Sequence, residues 1–271
     1  MQKVAIITGA SSGIGESTAR TLLQAGFTVY AAARRTEKMQ PLAAAGAKLL
    51  ALDVTSEASM LPAVQQVLSQ SGRIDVLVNN AGYGSYGAVE DVPIDEARRQ
   101  FEVNVFGLAR MTQLVLPTMR SQGSGTIVNI SSIAGKISMP LSAWYHTTKF
   151  AVEGFSDCLR MELKPFGIRV VLIEPGAIAT EFVGIATEGM EKASGHTAYA
   201  DQTRRLLHMF RRFKTAEPPQ VVADAILKAV QSENPKTRYV MGGGAHPLLA
   251  MRKLLPDKAF DWVMGQVLKR M

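Results

Sequence analysis

Short apolar runs alternate along the chain with longer amphipathic stretches. The runs predict buried strands over residues 3–8, 28–33, 48–52, 75–78, 126–131, 169–173 and 237–241. Helical periodicity fills the intervals near 14–25, 57–71, 95–122 and 143–165. Continuous apolar strands that alternate with helices are typical of a parallel sheet covered on both faces. The pattern therefore predicts a doubly wound α/β fold with about seven strands.

The pattern becomes irregular after the sixth predicted strand. Residues 178–214 contain three scattered glycines and no clear period, and helical periodicity resumes after Pro218-Pro219. Further helices are predicted over about 247–271. We interpret the chain as a single domain over residues 1–271, in which 178–214 is an insertion that covers the substrate side.

Composition and charge narrow the class of protein. The chain has 271 residues, 30 Lys and Arg against 23 Asp and Glu, and a net charge of +7. The whole excess lies in residues 190–271, which suits an anionic ligand, a membrane surface or plain solvation. We predict no nucleic-acid partner, because the basic segment lacks a reader motif. The lone Cys158 allows no intrachain disulfide, and a cytoplasmic location is expected.

The first predicted strand runs into a glycine-rich turn that opens a helix. Gly9 would allow the tight turn, Gly13 a close approach to a pyrophosphate, and Gly15 close packing of helix on strand. The free N–H groups at the start of a helix favour an anion. In this strand–turn–helix context the glycines predict a dinucleotide cradle of the Rossmann type.

The residues that follow the second strand favour NADP(H) over NAD(H). A site for NAD usually ends this strand with a carboxylate, whereas here Ala33 is followed by Arg34 and Arg35. A guanidinium is suited to a bidentate contact with a 2′-phosphate.

Tyr145 and Lys149 are four residues apart on a predicted helix and so share a face. A phenol with a pKa of about 10 is a poor acid–base catalyst at neutral pH, and a nearby ammonium would lower that pKa. Ser131 and Ser132 end the fifth strand, at the edge where such sheets bind ligands. His146 is predicted to point away from Tyr145, and the histidines have no spacing that predicts a metal site.

Together these residues resemble the short-chain dehydrogenases/reductases over nearly the whole chain. The matching motifs are Thr8-Gly9-(x)3-Gly13-Ile14-Gly15, Asp53-Val54, Asn79-Asn80-Ala81-Gly82, Asn104, Ser132, Tyr145-(x)3-Lys149 and Pro175-Gly176-(x)-Ile178-(x)-Thr180. Two details depart from the commonest pattern of the family: His146-Thr147-Thr148 fills a gap where small residues are usual, and Ser12 stands where a basic residue is common.

The resemblance implies roles for the matching positions. Tyr145 would exchange a proton with the substrate oxygen, Ser132 would bind that oxygen, Lys149 would bind the nicotinamide ribose and tune Tyr145, and Asn104 would hold a relay water. The cofactor would contact Gly9, Ser11, Ser12, Gly13, Ile14, Gly15, Arg34, Arg35, Asp53, Val54, Asn80, Ala81, Gly82, Tyr145, Lys149, Pro175, Gly176, Ile178 and Thr180. Family members often form homodimers or homotetramers through the two long helices near 97–120 and 143–165, and we expect the same here.

The segments expected to line the substrate pocket are mostly apolar. They contain Tyr86, Met139, Leu141, Trp144, Phe182 and Met190, which favours a lipophilic carbonyl or alcohol. We therefore predict an NADP(H)-dependent oxidoreductase that interconverts a carbonyl and a primary or secondary alcohol. Enoyl reduction or epimerisation on the same scaffold, and a non-catalytic NADP-binding sensor or scaffold, are the alternatives.

The C-terminal helix has a periodic apolar face. The face consists of Phe260, Val263, Met264, Val267, Leu268 and Met271, with Trp262 away from it. Packing on the core or on a second subunit is the first interpretation, and peripheral contact with an anionic membrane is the alternative.

Overall fold

Seven parallel strands form one sheet in the order β3-β2-β1-β4-β5-β6-β7. The computed structural model describes residues 2–212 and 216–269. The strands are β1 (Val4–Thr8), β2 (Thr28–Ala33), β3 (Lys48–Ala51), β4 (Val76–Asn79), β5 (Gly125–Ile130), β6 (Ile168–Pro175) and β7 (Arg238–Met241). The strand order reverses between β1 and β4, and the carboxyl ends on either side of that point form the crevice in which such sheets bind ligands.

Helices cover both faces of the sheet. The described helices are α1 (Gly13–Gln24), α2 (Gln40–Ala44), α3 (Glu57–Ser71), α4 (Ile94–Phe101), α5 (Leu108–Gln122), α6 (Ala143–Leu163), α7 (Glu181–Ser194), α8 (Ala200–Arg212), α9 (Gln220–Gln231), α10 (Ala245–Leu254) and α11 (Asp257–Lys269). Alternate residues of β1 point to opposite faces: Ala5 and Ile7 pack with α1 and α9, whereas Val4 and Ile6 pack with α3, α5 and α6. The predicted single Rossmann domain with a seven-stranded parallel sheet is confirmed.

The predicted strands agree with the observed ones to within about two residues. The long helical interval after β4 is more complex than its periodicity indicated. There α4 passes into a π-helical turn, Glu102–Gly107, and then into α5. A π-helical turn places one extra residue in the helix, so the side chains on its two sides change their facing.

Residues 178–214 are more regular than the sequence pattern indicated. They contain α7 and α8, where the sequence suggested an irregular segment. Gly184 and Gly189 obscured the period of α7, yet neither glycine has a neighbour near the position of a Cβ. Burial of Ala186 and Met190 on the inner side of α7 outweighs the low helix propensity of these glycines.

The C-terminal helix packs on the body of the protein. Phe260 and Met264 are buried against Ile137, whereas Trp262 is 66% exposed. Core packing therefore accounts for the described part of the apolar face; Arg270, Met271 and the side chain of Leu268 lie outside the described residues.

Two further observations concern single features of the surface and the helices. Cys158 is exposed, because it lies on the outer side of α6. Within the described ranges, no helix has the length and apolar character needed to cross a membrane.

Candidate active site

The glycine-rich turn lies between β1 and α1 in a conformation that requires glycine. Gly9 and Gly13 have φ values of +66° and +55°, and a Cβ on Gly15 would collide with the carbonyl oxygen of Gly9. Asn80, at the end of β4, donates from Nδ2 to the carbonyl oxygens of Thr8 (2.9 Å) and Gly9 (3.1 Å). The turn therefore leaves backbone space and a free helix N-terminus, which fits the pyrophosphate of a nicotinamide dinucleotide.

The two arginines after β2 have different surroundings. Arg35 donates from Nη2 to Ser11 Oγ at 3.2 Å and contacts Ser12 Oγ at 3.5 Å, so it lies against the glycine-rich turn. Arg34 is exposed, and it lies near enough to Asp53 for its positive charge to lower the pKa of the Asp53 carboxyl. Burial alone would raise the pKa of Asp53, but hydrogen bonds from Thr55 and the charge of Arg34 hold it below its ordinary value.

The segment after β6 crosses the glycine-rich turn. Gly176 donates its N–H to the carbonyl oxygen of Met241 at 2.7 Å, which fixes the path of the chain as it leaves the sheet. Thr180 caps α7, and a Cβ on Gly13 would lie 3.1 Å from Thr180 Cγ2. Pro175, Gly176, Ile178 and Thr180 therefore lie at the same sheet edge as the turn, as expected from the sequence order.

Asn104 lies in the π-helical turn and joins three segments. Its Oδ1 accepts from the N–H of Tyr83 at 3.0 Å, and its Nδ2 donates to the Tyr83 carbonyl at 2.8 Å and to Thr148 Oγ1 at 3.1 Å. A Cβ on Gly107 would collide with the carbonyl oxygen of Val54, and a Cβ on Gly82 would lie 3.1 Å from Asn104 Oδ1. The side chain of Asn104 is therefore held beside α6, one residue from Lys149.

Ser132 and Tyr145 meet at the carboxyl end of β5. Ser132 Oγ donates to the Pro175 carbonyl at 3.2 Å and accepts from the N–H of Ala134 at 3.1 Å. The Ser132 hydroxyl also lies near enough to the Tyr145 phenol to lower its pKa. Burial raises the pKa of Tyr145 well above its ordinary value, and the Ser132 hydroxyl opposes this increase. A serine and a protonated tyrosine thus converge on one point.

Lys149 is buried one turn after Tyr145. Its Nζ donates to the Ile130 carbonyl at 2.8 Å and lies 5.7 Å from the centre of the Tyr145 ring. Burial lowers the pKa of Lys149 to about 8, and the negative charge of Glu153 partly opposes that change. The expected lowering of the Tyr145 pKa is not met in this geometry, because the ammonium bonds a carbonyl rather than the phenol.

Aromatic and aliphatic side chains close over Tyr145. The ring centre of Tyr145 lies 5.5 Å from that of Tyr86 and 5.2 Å from that of Phe182, the second residue of α7. The surrounding cluster contains Ala88, Ala134, Met139, Leu141, Ala186, Met190, Tyr199, Leu206, Leu207, Met209 and Phe210. Five of the six predicted pocket residues therefore gather here.

Trp144 was expected in this cluster and lies elsewhere. It lines a separate groove with Ile94, Ala97 and Phe106 on the outer side of α4. Neighbouring residues of a helix point about 100° apart, so Trp144 and Tyr145 cannot face the same cavity.

His146 is buried and supports the segment that follows Ser132. Its Nδ1 lies 2.6 Å from the carbonyl oxygen of Ile137, and burial lowers the pKa of His146 below its ordinary value. Its ring centre lies 6.1 Å from that of Tyr145, and the two rings are nearly perpendicular. Among the described residues, no cluster of His, Cys, Asp or Glu could hold a metal ion.

Sequence reasoning did not single out three polar residues of the site. Thr8 Oγ1 accepts from the N–H groups of Asn80 and Ala81, both at 3.0 Å, Thr148 bonds Asn104, and Glu181 contacts Arg35. Each one holds a predicted residue in place rather than facing the substrate, so a search for reactive side chains passes over it.

Comparison with known proteins decides the family. The sequence model of the short chain dehydrogenase family matches residues 3–191. The chain belongs to this family. A 3-ketodihydrosphingosine reductase from Bacteroides thetaiotaomicron is 37% identical over 97% of this chain and 96% of its own length. A short-chain dehydrogenase from Streptomyces avermitilis has a TM-score of 0.82 at 37% identity, covering 99% of this chain and 96% of its own.

Solved structures of other short-chain dehydrogenases/reductases contain nicotinamide cofactors. A 3-ketoacyl-(acyl-carrier-protein) reductase from Brucella melitensis, 30% identical with a TM-score of 0.76 over 89% of this chain and 97% of its own, was solved with NADH. A serine dehydrogenase, 28% identical with a TM-score of 0.78 over 88% of this chain and 94% of its own, was solved with NADP+. The chain is therefore an oxidoreductase that uses a nicotinamide cofactor and acts on small molecules.

Proposed function

We propose that this short-chain dehydrogenase interconverts a carbonyl and an alcohol on a lipophilic substrate, with NADP(H) as the cofactor. The convergence of the Ser132 and Tyr145 hydroxyls inside an apolar, aromatic cluster carries this proposal. Two hydroxyls at one point suit a carbonyl oxygen, since one can bind the oxygen while the other gives it a proton. The intact set with Lys149 and Asn104 favours this chemistry over enoyl reduction and over a non-catalytic role.

Each residue of the set has a task that its position supports. NADP(H) would be held by the glycine-rich turn, Arg34 and Arg35, and it supplies the hydride chemistry. Ser132 binds the substrate oxygen, and Tyr145 donates a proton to that oxygen in reduction and accepts one in oxidation. The aromatic side chains around Tyr145 exclude water from the proton transfer.

The charge and position of Lys149 complete this assignment. Lys149 provides a buried positive charge beside the phenol, where it would bind the nicotinamide ribose. Asn104 and Thr148 fix the helix that presents both Tyr145 and Lys149.

The apolar cluster also supports the substrate class. Tyr86 and Phe182 pack against the Tyr145 ring, and Phe210 packs against Tyr86. Such a lining suits a bulky or long-chain apolar group beside the reacting carbon. The relative named for 3-ketodihydrosphingosine reduction supports a lipid-like ketone as one class to test.

The preference for NADP(H) rests on the end of β2. No carboxylate follows Ala33, and Arg34, Arg35 and Lys38 bring three positive charges to the rim of the cofactor crevice. A 2′-phosphate adds negative charge there, whereas a free 2′-hydroxyl gains little from guanidinium groups.

We also propose a homodimer or homotetramer that works in the cytoplasm. Large apolar side chains are exposed on the outer helices, including Phe106 (56%) before α5 and Met161 (66%) on α6. Unpaired apolar groups of this size on two adjacent long helices support a contact between subunits. An exposed free Cys158 supports a reducing compartment.

The test is oxidation of NADPH against a panel of ketones. The panel would contain steroid, retinoid, long-chain 3-keto and small polar ketones, and we expect turnover with lipophilic members. Tyr145→Phe should lower kcat by at least about 10²-fold, since it removes the proton donor without changing the shape. Tyr239→Phe is the matched control, because the Tyr239 hydroxyl only accepts from the backbone of Lys236.

Two outcomes would contradict the proposal. Turnover that survives in Tyr145→Phe at the wild-type rate would remove Tyr145 from the chemistry. Tight NADPH binding without oxidation by any carbonyl in the panel would favour a sensor or scaffold.

A further inference from the structure

Two carboxyl side chains are buried directly behind Lys149. Glu153 is one helical turn beyond Lys149 on α6 and is 4% exposed. Glu174 lies on β6, next to Pro175, and is 2% exposed. The proposed mechanism uses neither side chain, and burying a carboxylate is costly unless it is paired.

Countercharges reach Glu153 and Glu174 from two other segments. Lys136 Nζ lies 2.7 Å from Glu153 Oε2, just after the turn that begins at Ser132. Arg238, the first residue of β7, lies 3.1 Å from Glu153 Oε2 and 2.9 Å from Glu174 Oε1. Arg238 also binds Asp157, whose own second partner is Arg160. Lys136 and Arg238 thus pair with the two buried carboxyls, while Asp157 is shared between Arg238 and Arg160.

Hydrogen bonds leave one oxygen of each buried carboxyl without a donor. Glu153 Oε1 and Glu174 Oε1 are both buried and accept no hydrogen bond from described residues. Arg238 Nε is near Glu174 Oε1, but its single hydrogen is directed to Glu153 Oε2, at 3.2 Å. Because both carboxyl groups contact the same Arg238 guanidinium, they lie side by side, and the charge of Glu153 raises the pKa of Glu174. One proton between them would satisfy both oxygens, because a protonated carboxyl becomes a donor.

We propose that Glu153 and Glu174 share one proton behind Lys149 and act as positioning residues that set the charge which Lys149 experiences. Burial and the charge of Glu153 raise the pKa of Glu174 to about 7, while Lys136 and Arg238 oppose that increase. The shared proton is therefore held below neutral pH and lost above it.

The charge of the pair acts on Lys149. Glu153 favours the ammonium form of Lys149, against the effect of burial. When the pair loses its proton, its charge changes from −1 to −2, and the ammonium form is favoured further. The pair thus keeps Lys149 charged on the alkaline side of neutrality, where a lone buried lysine would lose its proton. This effect on catalysis rests on the proposed function; the shared proton itself does not.

The shared proton can be tested without turnover. Infrared difference spectra of the whole protein between pH 6 and pH 8 should show loss of a protonated carboxyl group with a midpoint near 7. Glu174→Gln should remove this signal, because it removes the carboxyl that holds the proton. Glu153→Gln should move its midpoint to lower pH, because Glu174 stays buried but loses the neighbouring negative charge that raises its pKa. Glu162→Gln, an exposed carboxylate on the same helix, is the matched control and should keep the signal. Absence of the wild-type signal would overturn the proposal.

The effect on Lys149 has its own readout. Dissociation constants for NADPH from fluorescence titration should match wild type in Glu174→Gln at pH 6.5 and be several-fold weaker at pH 8.5. The alkaline limb of kcat should move down by about half a pH unit or more. If NADPH affinity and kcat of Glu174→Gln keep the wild-type pH dependence while the wild-type infrared signal is present, the pair shares a proton but does not set the charge of Lys149. Failure of the Tyr145→Phe test alone would reject the proposed function and leave the shared proton standing.

Discussion

Single residues at the site show how far side-chain identity and spacing predict geometry. Asn104 and Ser132 come from two further segments beside α6, which carries both Tyr145 and Lys149, and the structure places the three segments side by side. Their hydrogen bonds were not predictable, because the partners of Lys149 and Asn104 are backbone groups of Ile130 and Tyr83. Any residue supplies such groups, so the sequence carries no mark of them.

The sequence carries a weak indication that Glu153 and Glu174 are buried near the site. One follows Lys149 at the spacing of a helical turn, and the other interrupts the apolar run of β6. A charge inside a buried strand needs a partner, which the sequence did not identify because Arg238 lies 64 residues further along the chain.

At the scale of one residue, Arg34→Asp should reverse the cofactor preference. Loss of a charge-assisted bond to the 2′-phosphate costs about 1.5–3 kcal/mol, so the affinity for NADPH should fall by about 10- to 100-fold. Affinity for NADH should be kept or improved, because aspartate accepts from a ribose 2′-hydroxyl. Fluorescence titration with both cofactors measures this, with Arg98→Asp on α4 as the control. Unchanged NADPH affinity would contradict the assignment of Arg34.

At the scale of elements, α7 connects the cofactor rim to the substrate cluster. Its first residue, Glu181, lies 3.5 Å from both Arg35 and Lys38, while the next residue, Phe182, covers Tyr145. The charges of Lys38 and Arg35 lower the pKa of Glu181, so this carboxylate is ionised at neutral pH. The sequence did not predict α7, because its glycines disguise a helix that packing stabilises.

Glu181→Gln should strengthen NADPH binding. The carboxylate occupies two cations at the rim that would otherwise attract a phosphate, and its removal frees them. Exposed ion pairs contribute about 0–1 kcal/mol, so we expect a two- to fivefold lower dissociation constant for NADPH and a smaller change for NADH. Glu188→Gln, an exposed carboxylate further along α7, should leave both values unchanged. Equal changes for the two cofactors would show that the rim cations do not contact the 2′-phosphate.

At the scale of the whole molecule, the outer side of the π-helical segment and α6 form an apolar surface. Phe106, Phe150, Met161 and Phe166 are all exposed there, and Ile94 lies at the start of α4. The periodic pattern predicted these helices, but they carry more large apolar side chains than a single subunit buries. The parallel sheet and the helices on both of its faces followed from the sequence, because strand periods and crossover handedness leave few alternatives.

Phe150→Glu should dissociate the proposed oligomer. A buried negative charge in an apolar contact is strongly unfavourable, so light scattering should show a subunit of about 29 kDa in place of a larger species. Cys158 lies two helical turns from Phe150, and a thiol reagent should label it faster in this variant. Trp262→Glu, on the exposed side of α11, is the control and should stay assembled. A monomeric wild type would contradict the proposal.

β7 follows the other strands in chain order, so the ribosome makes its Arg238 after the other charged residues behind Lys149. The ribosome makes the protein from the N-terminus, so Glu153 and Glu174 emerge well before Arg238. Until β7 adds to β6, the two carboxyls behind Lys149 lack the Arg238 guanidinium that contacts both of them. A nascent chain that ends before residue 238 therefore contains the catalytic segments but lacks the Arg238 guanidinium that pairs with Glu153 and Glu174. Among the strands of the sheet, the last one in chain order therefore supplies the charge that both buried carboxyls contact.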